Sequence, residues 1–182
     1  MNDNVFVIGA MGRLVCPSKG MEILLRAAPM ILEKKPNARF LIAGRPGKKL
    51  PKLAEDLGIS DKVIFPGFYD DTSELLSCMD LFVQPSITEA LSSSIIQAMA
   101  MQRPVVASNT GGIPEVVKNG ETGILFETGN PEALAQTVLH LTGNEKTLME
   151  MGEASRKRAL EIFTLDRMLD EIEAWYASAL QA

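Results

Sequence analysis

The segment Asp80-Leu81-Phe82-Val83-Gln84-Pro85-Ser86-Ile87-Thr88-Glu89-Ala90-Leu91-Ser92-Ser93-Ser94-Ile95-Ile96-Gln97-Ala98-Met99-Ala100-Met101 decides the architecture. It opens on a short run of apolar and aromatic residues without polar alternation, the pattern of a strand covered on both faces. Three serines then offer helix caps, and Ser92 to Met101 reads as a helix with a broad apolar side. The next strand, Pro104 to Ser108, follows almost at once. Strand, loop, helix and strand in so few residues form a crossover unit, which joins parallel neighbours with a right-handed connection.

The same alternation extends in both directions. Val5 to Ala10, Arg39 to Gly44, Val63 to Phe65 and Gly123 to Phe126 read as further strands, and Gly20 to Lys34, Lys48 to Leu57, Thr72 to Cys78 and Pro131 to Leu141 as helices. Asn130 and Pro131 supply a cap and a first-turn proline. The pattern predicts an α/β, Rossmann-like, doubly wound parallel sheet of about six strands flanked by helices. Beyond Leu141 it changes: two helices, at about 144–162 and 165–180, follow each other with Phe163-Thr164 between them. Residues 144–182 thus read as a C-terminal helical extension of a single domain spanning 1–182.

Composition excludes several classes of function. The 182 residues are 46% apolar and 23% charged, with net charge −5, which suits a globular chain and not a disordered one. A pI near 5.0 argues against binding nucleic acid by phosphate neutralisation. Cys16 and Cys78 are far apart and without ligand-type neighbours, and the one histidine, His140, sits in a helical pattern, so no metal is expected. The polar start Met1-Asn2-Asp3-Asn4 and the short apolar run after it do not resemble an export signal, which gives the expectation of a cytoplasmic protein with reduced thiols.

Ligands of such sheets bind beyond the carboxyl ends of the strands, so the loops there carry the chemistry. After the first strand come Gly12, Arg13 and Lys19, a flexible backbone and two cations at the mouth of a helix. That arrangement suits a phosphate or diphosphate, and equally a solvated turn; neither Gly-x(4)-Gly-Lys-Ser/Thr nor Gly-x-Gly-x-x-Gly is present. After the fourth strand, Glu89 stands just ahead of Ser92, Ser93 and Ser94, where helix-start amides can hold an anion and a carboxylate can hold sugar hydroxyls. Read more plainly, Glu89 is a dipole-favoured surface acid and Ser92 an N-cap. Gly111-Gly112-Ile113-Pro114-Glu115 fits a structural turn as well as a binding one.

Taken together, Gly12-Arg-Leu-Val, Lys19-Gly20, Ala43-Gly44, Gly67-Phe68, Pro85-Ser86, Glu89, Gln97-Ala-Met-Ala, Arg103-Pro-Val-Val-Ala, Gly111-Gly-Ile-Pro-Glu, Asn119-Gly-Glu-Thr-Gly and Gly129-Asn-Pro-Glu-Ala-Leu resemble glycosyltransferase family 4 from Val5 to about Tyr176. The resemblance is to the C-terminal, donor-binding half of the GT-B fold. It implies retaining transfer of a sugar from a nucleotide-diphosphate donor to an acceptor, without a metal or other cofactor. It assigns catalytic roles to Glu89, beside the donor sugar, and to Arg13 and Lys19, at the diphosphate. Donor-binding roles fall to Gly12, Ala90, Leu91, Ser92, Ser93 and Gln97, and part of the base pocket to the loop after Gly67-Phe68.

Gln97 replaces the second acid of the family's Glu-x(7)-Glu signature, Arg13 and Lys19 are six apart where five is commoner, and Ala90 stands where glycine is common. An amide still pairs with a ribose hydroxyl but brings no charge. The family's acceptor-binding N-terminal domain has no room in 182 residues, so the chain reads as the donor-binding part of a larger enzyme, binding donor without turnover by itself. The last helix, with Phe163, Leu165, Met168, Leu169, Ile172, Trp175 and Tyr176, has a broad apolar face that either packs on this domain or crosses to the N-terminal one. Expected partners are therefore the nucleotide-sugar donor, the N-terminal domain and a glycan, lipid or small-molecule acceptor, with no nucleic acid and with peripheral membrane association of the whole enzyme. Two other functions fit the residues: a non-catalytic nucleotide-sugar-binding module, favoured by Gln97, and half of a GT-B-like epimerase.

Overall fold

The computed structural model describes residues 5–180. Six strands, β1 (Phe6–Met11), β2 (Ala38–Ala43), β3 (Val63–Ile64), β4 (Leu81–Gln84), β5 (Val105–Ser108) and β6 (Ile124–Phe126), form one sheet in the order β3-β2-β1-β4-β5-β6, with every neighbouring pair parallel. The helices are α1 (Met21–Lys34), α2 (Lys49–Asp56), α3 (Thr72–Ser77), α4 (Ser93–Ala100), α5 (Ile113–Val116), α6 (Pro131–Thr142), α7 (Glu145–Ile162) and α8 (Leu165–Ala179). Strand and helix limits lie within one residue of those expected from the pattern. Short 3-10 turns at Pro17–Lys19 and Ser60–Lys62 come in addition.

Both faces of the sheet are buried, as the continuous apolar runs require. Ile8, Phe40, Ile42, Leu81, Val83 and Val106 meet α1, α2 and α6 on one side. Leu41, Phe82, Val105 and Ala107 meet α3, α4 and α5 on the other. Alternate residues along each strand therefore feed opposite cores, and α7 adds Met151 to the first and Ala159 to the second. Fully buried side chains such as Phe40 and Phe82 each stabilise the fold by about 2–3 kcal/mol of transfer free energy.

Caps end the helices where the sequence offers them. Asp71, Ser92, Asn130, Asn144 and Thr164 each accept a backbone amide of their own helix. α8 differs from the rest in burying no residue. Leu165, Trp175 and Tyr176 are each about 60% exposed, so its apolar face does not pack on this sheet. Since that helix contributes nothing to either core, a chain ending at Thr164 is expected to keep its thermal midpoint within about 3 °C, measured by circular dichroism. A drop of ten degrees or more would show that α8 is part of the folding unit.

Candidate functional site

The strand order reverses between β1 and β4. The helices that follow them, α1 and α4, cover opposite faces, and their loops part above the sheet. A cleft of about 610 Å³ opens there. Gly12 and Arg13 line it from the end of β1, Gly44 and Arg45 from the end of β2. Phe68 and Tyr69 line it from the loop after β3, and Ser93, Ser94 and Gln97 from α4. No acid is among its lining residues, whereas two arginines are. The Arg13 side chain is exposed and forms no hydrogen bond or ion pair among the described residues.

Arg13 and Arg45 are equivalent by register. β1 and β2 pair with Met11 opposite Ala43, the Gly12 amide donates to the Ala43 carbonyl at 3.0 Å, and each strand continues into Gly-Arg. Arg45 was not singled out from the sequence. The signal was there in the repeated Gly-Arg after two apolar runs, but its meaning depends on the pairing of the strands.

Lys19 and Glu89 stand beside the cleft without lining it. The Lys19 Nζ and Glu89 Oε2 form an ion pair at 2.6 Å, with the two side chains 23% and 10% exposed. Lys19 closes the 3-10 turn, and Gly20 follows with φ of 64°. A Cβ at Gly20 would lie 1.9 Å from the Pro85 carbonyl oxygen, so glycine lets the β1 loop lie against the β4 loop. The Ile87 amide donating to the Ser18 carbonyl at 2.7 Å joins the same two loops.

Glu89 is held from the far side as well. Gly111 has φ of 53°, and a Cβ there would lie 1.8 Å from the Glu89 carbonyl oxygen, to which the Gly112 amide donates at 3.1 Å. Gly111-Gly112 is therefore a seat for the Glu89 loop. The carboxylate itself also accepts from the Ser86 hydroxyl at 3.0 Å, and that hydroxyl accepts from the buried Gln84 amide at 2.8 Å. Ser86 and Gln84, polar residues closing an apolar strand, were the overlooked sign of this support.

The other expected site residues separate. Ser93 and Gln97 face the cleft, whereas Ser92 is buried and caps α4 through the Ile95 amide. Ala90 and Leu91 are exposed outside the cleft lining. Hydrogen bonds from the Ser18 hydroxyl and the Ser18 backbone, with smaller contributions from Arg13 and Lys19, hold the Cys16 thiol below its ordinary pKa. Among the described residues no cluster of three or more His, Cys, Asp or Glu side chains is assembled, and no helix is long and apolar enough to cross a membrane.

Residues 5–144 match the family model of glycosyl transferases group 1, and the chain belongs to that family. It is 30% identical over 184 residues to the capsular polysaccharide biosynthesis glycosyltransferase CapM of Staphylococcus aureus, covering all of this chain and 48% of that protein. The chain spans less than half the length of the curated relatives it matches. The crystal structure of Anabaena HepE in complex with UDP and glucose superposes with a TM-score of 0.89 at 27% identity, over 96% of this chain and 49% of that one. The C-terminal domain of the group 1 glycosyl transferase LpcC from Francisella tularensis shares the fold with a TM-score of 0.79 at 24% identity, over 88% and 87% of the two chains. The structural neighbours are GT-B glycosyltransferases.

The Gly111 seat gives a direct check of this geometry. Gly111→Ala combines positive-φ strain with a backbone clash and is expected to lower stability by at least ~2 kcal/mol in urea titration, whereas Gly58→Ala, where a Cβ meets nothing within 4 Å, carries the φ cost alone. Equal losses at both positions would show that the Glu89 loop does not rest on Gly111.

Proposed function

We infer that this chain is the donor-binding domain of a retaining, family 4 glycosyltransferase that takes a hexose from a nucleotide-diphosphate sugar. The observation that carries the reading is the cleft at the strand-order reversal, lined by two arginines and no acid and walled by Phe68 and Tyr69. A diphosphate fits beside Arg13 and Arg45, near the first amides of α4, which have no intrahelical acceptors. The aromatic rings supply a face for the base, and the Gln97 amide a partner for the ribose hydroxyls. UDP and glucose in HepE support a donor of this kind.

In the transfer, negative charge grows on the departing nucleoside diphosphate. The Arg13 side chain, with no protein partner among the described residues, is free to meet it, and Lys19 joins on release from Glu89. Fixed cations aimed at that charge lower the barrier beyond what they add to ground-state binding. Glu89, fixed by Ser86 and by the Gly112 amide, presents its carboxylate to donor-sugar hydroxyls. No metal is needed in this scheme, because side chains supply the positive charge.

The acceptor belongs to an N-terminal domain, and the exposed apolar face of α8 is suited to pack against it. The single domain then binds donor without turnover, while the whole enzyme works in the cytoplasm or at the inner face of the membrane. Gln97 favours a second reading, a nucleotide-sugar-binding module without catalysis, since the neutral amide holds the ribose less firmly than an acid.

Calorimetric titration with UDP-glucose, UDP, GDP and ADP, without added metal, tests the reading. The expected result is binding of one nucleotide class, weakened by about ten- to a hundredfold in Arg13→Ala and by a smaller factor in Arg45→Ala. Unchanged affinity in Arg13→Ala would contradict it.

A further inference from the structure

Most charged groups outside the cleft are already engaged. At the amino ends of the strands, around a recess of about 630 Å³, Arg103 donates to the Met79 carbonyl, Arg156 to the Ala100 carbonyl, and Asp80 accepts the Val7 amide. These contacts satisfy backbone groups. The Lys19–Glu89 pair differs, because both members belong to the proposed donor site and in this structure each holds the other.

The two ends of the pair are not equally free. Glu89 is anchored twice: its carbonyl accepts from the Gly112 amide, and its Oε2 accepts from Ser86. The Ser86 hydroxyl, receiving the Gln84 amide at 2.8 Å, has its own proton turned toward the carboxylate. Gln84 is 1% exposed, so this chain of donors is fixed by the core. Lys19 by contrast carries its charge on a flexible four-carbon stem. A ligand that draws on the pair moves the lysine and leaves the carboxylate in place.

We propose that this ion pair makes the site discriminate a sugar-bearing diphosphate from a bare one. The inference rests on the donor-site reading above. When a bare nucleoside diphosphate attracts Lys19, Glu89 remains nearly buried, immobile and without its counter-ion, which opposes binding. When the diphosphate carries a sugar, hydroxyls of that sugar donate to Glu89 as Lys19 turns to the phosphate, and both charges stay paired. After the sugar has been transferred, Glu89 draws Lys19 back and the remaining diphosphate loses a cation. Glu89 is then a specificity determinant as well as a sugar contact, and Ser86 and Gln84 are positioning residues that share the charge of the carboxylate and so lessen its dependence on the lysine.

The test is the ratio of UDP to UDP-glucose dissociation constants, measured by calorimetry on the 182-residue chain, with the guanosine and adenosine pairs used if uridine does not bind. The wild type is expected to prefer the sugar conjugate. In Glu89→Gln, whose neutral amide keeps hydrogen bonding but releases Lys19, UDP should bind about tenfold more tightly and the ratio should collapse. In Lys19→Met that gain should vanish, so the double variant matches Lys19→Met. Ser86→Ala should act in the opposite sense, because Glu89 then depends more on Lys19 and UDP binding weakens. It also serves as the second variant if Glu89→Gln does not fold. UDP affinity unchanged or lowered in a folded Glu89→Gln, or raised in Ser86→Ala, overturns the ion-pair proposal and leaves the donor site standing. A wild type that binds no nucleotide or conjugate overturns the donor-site reading itself.

Discussion

Because α1 and α4 leave adjacent parallel strands toward opposite faces of the sheet, the loops after β1 and β4 are forced apart, and the cleft is the space that remains. Every later feature depends on that divergence. Gly20 allows the two loops to touch again at Pro85, beyond the cleft, and that contact brings Lys19 to Glu89 across 70 residues of chain. The cores on both sides of the sheet hold the strands, the strands fix the loop origins, and the glycines set how close the loops come.

The charges are arranged in two groups with different freedom. Arg13 and Arg45 extend from in-register strand ends into a cleft without acids, so their field is not cancelled locally. Lys19 is neutralised by a carboxylate that is itself held by Ser86, Gln84 and the Gly112 amide. An anion entering the cleft therefore meets standing positive charge first and a paired lysine second. In a protein of net charge −5, attraction for a diphosphate has to come from such local placement and not from the overall field.

Much of the fold was legible because apolar runs without alternation have one physical solution, burial on both faces. The six strands, their helices and the caps at Ser92 and Asn130 follow from periodicity and local chemistry. In the site, Gly12, Arg13 and Ser93 were legible because each lies next to a strand end or helix start, whereas Gln97 was singled out only through the resemblance to the family signature. What was not legible depends on contacts between distant segments. Nothing local to Lys19 announces that it turns to Glu89, and nothing in Gly111-Gly112 announces the Glu89 loop resting on it. Arg45 needed the register of β1 with β2, and the apolar face of α8 was visible in the sequence while its lack of a partner here was not.

The central claim is that a nucleoside diphosphate occupies the cleft at the carboxyl edge of the sheet. Amide chemical-shift mapping of the labelled chain with UDP and UDP-glucose tests it most directly. The account predicts shifts concentrated at Gly12, Arg13, Gly44, Arg45, Ser93 and Ser94, and at Glu89 with the sugar conjugate. Shifts centred instead on Arg103 and Arg156, at the opposite edge, would contradict it.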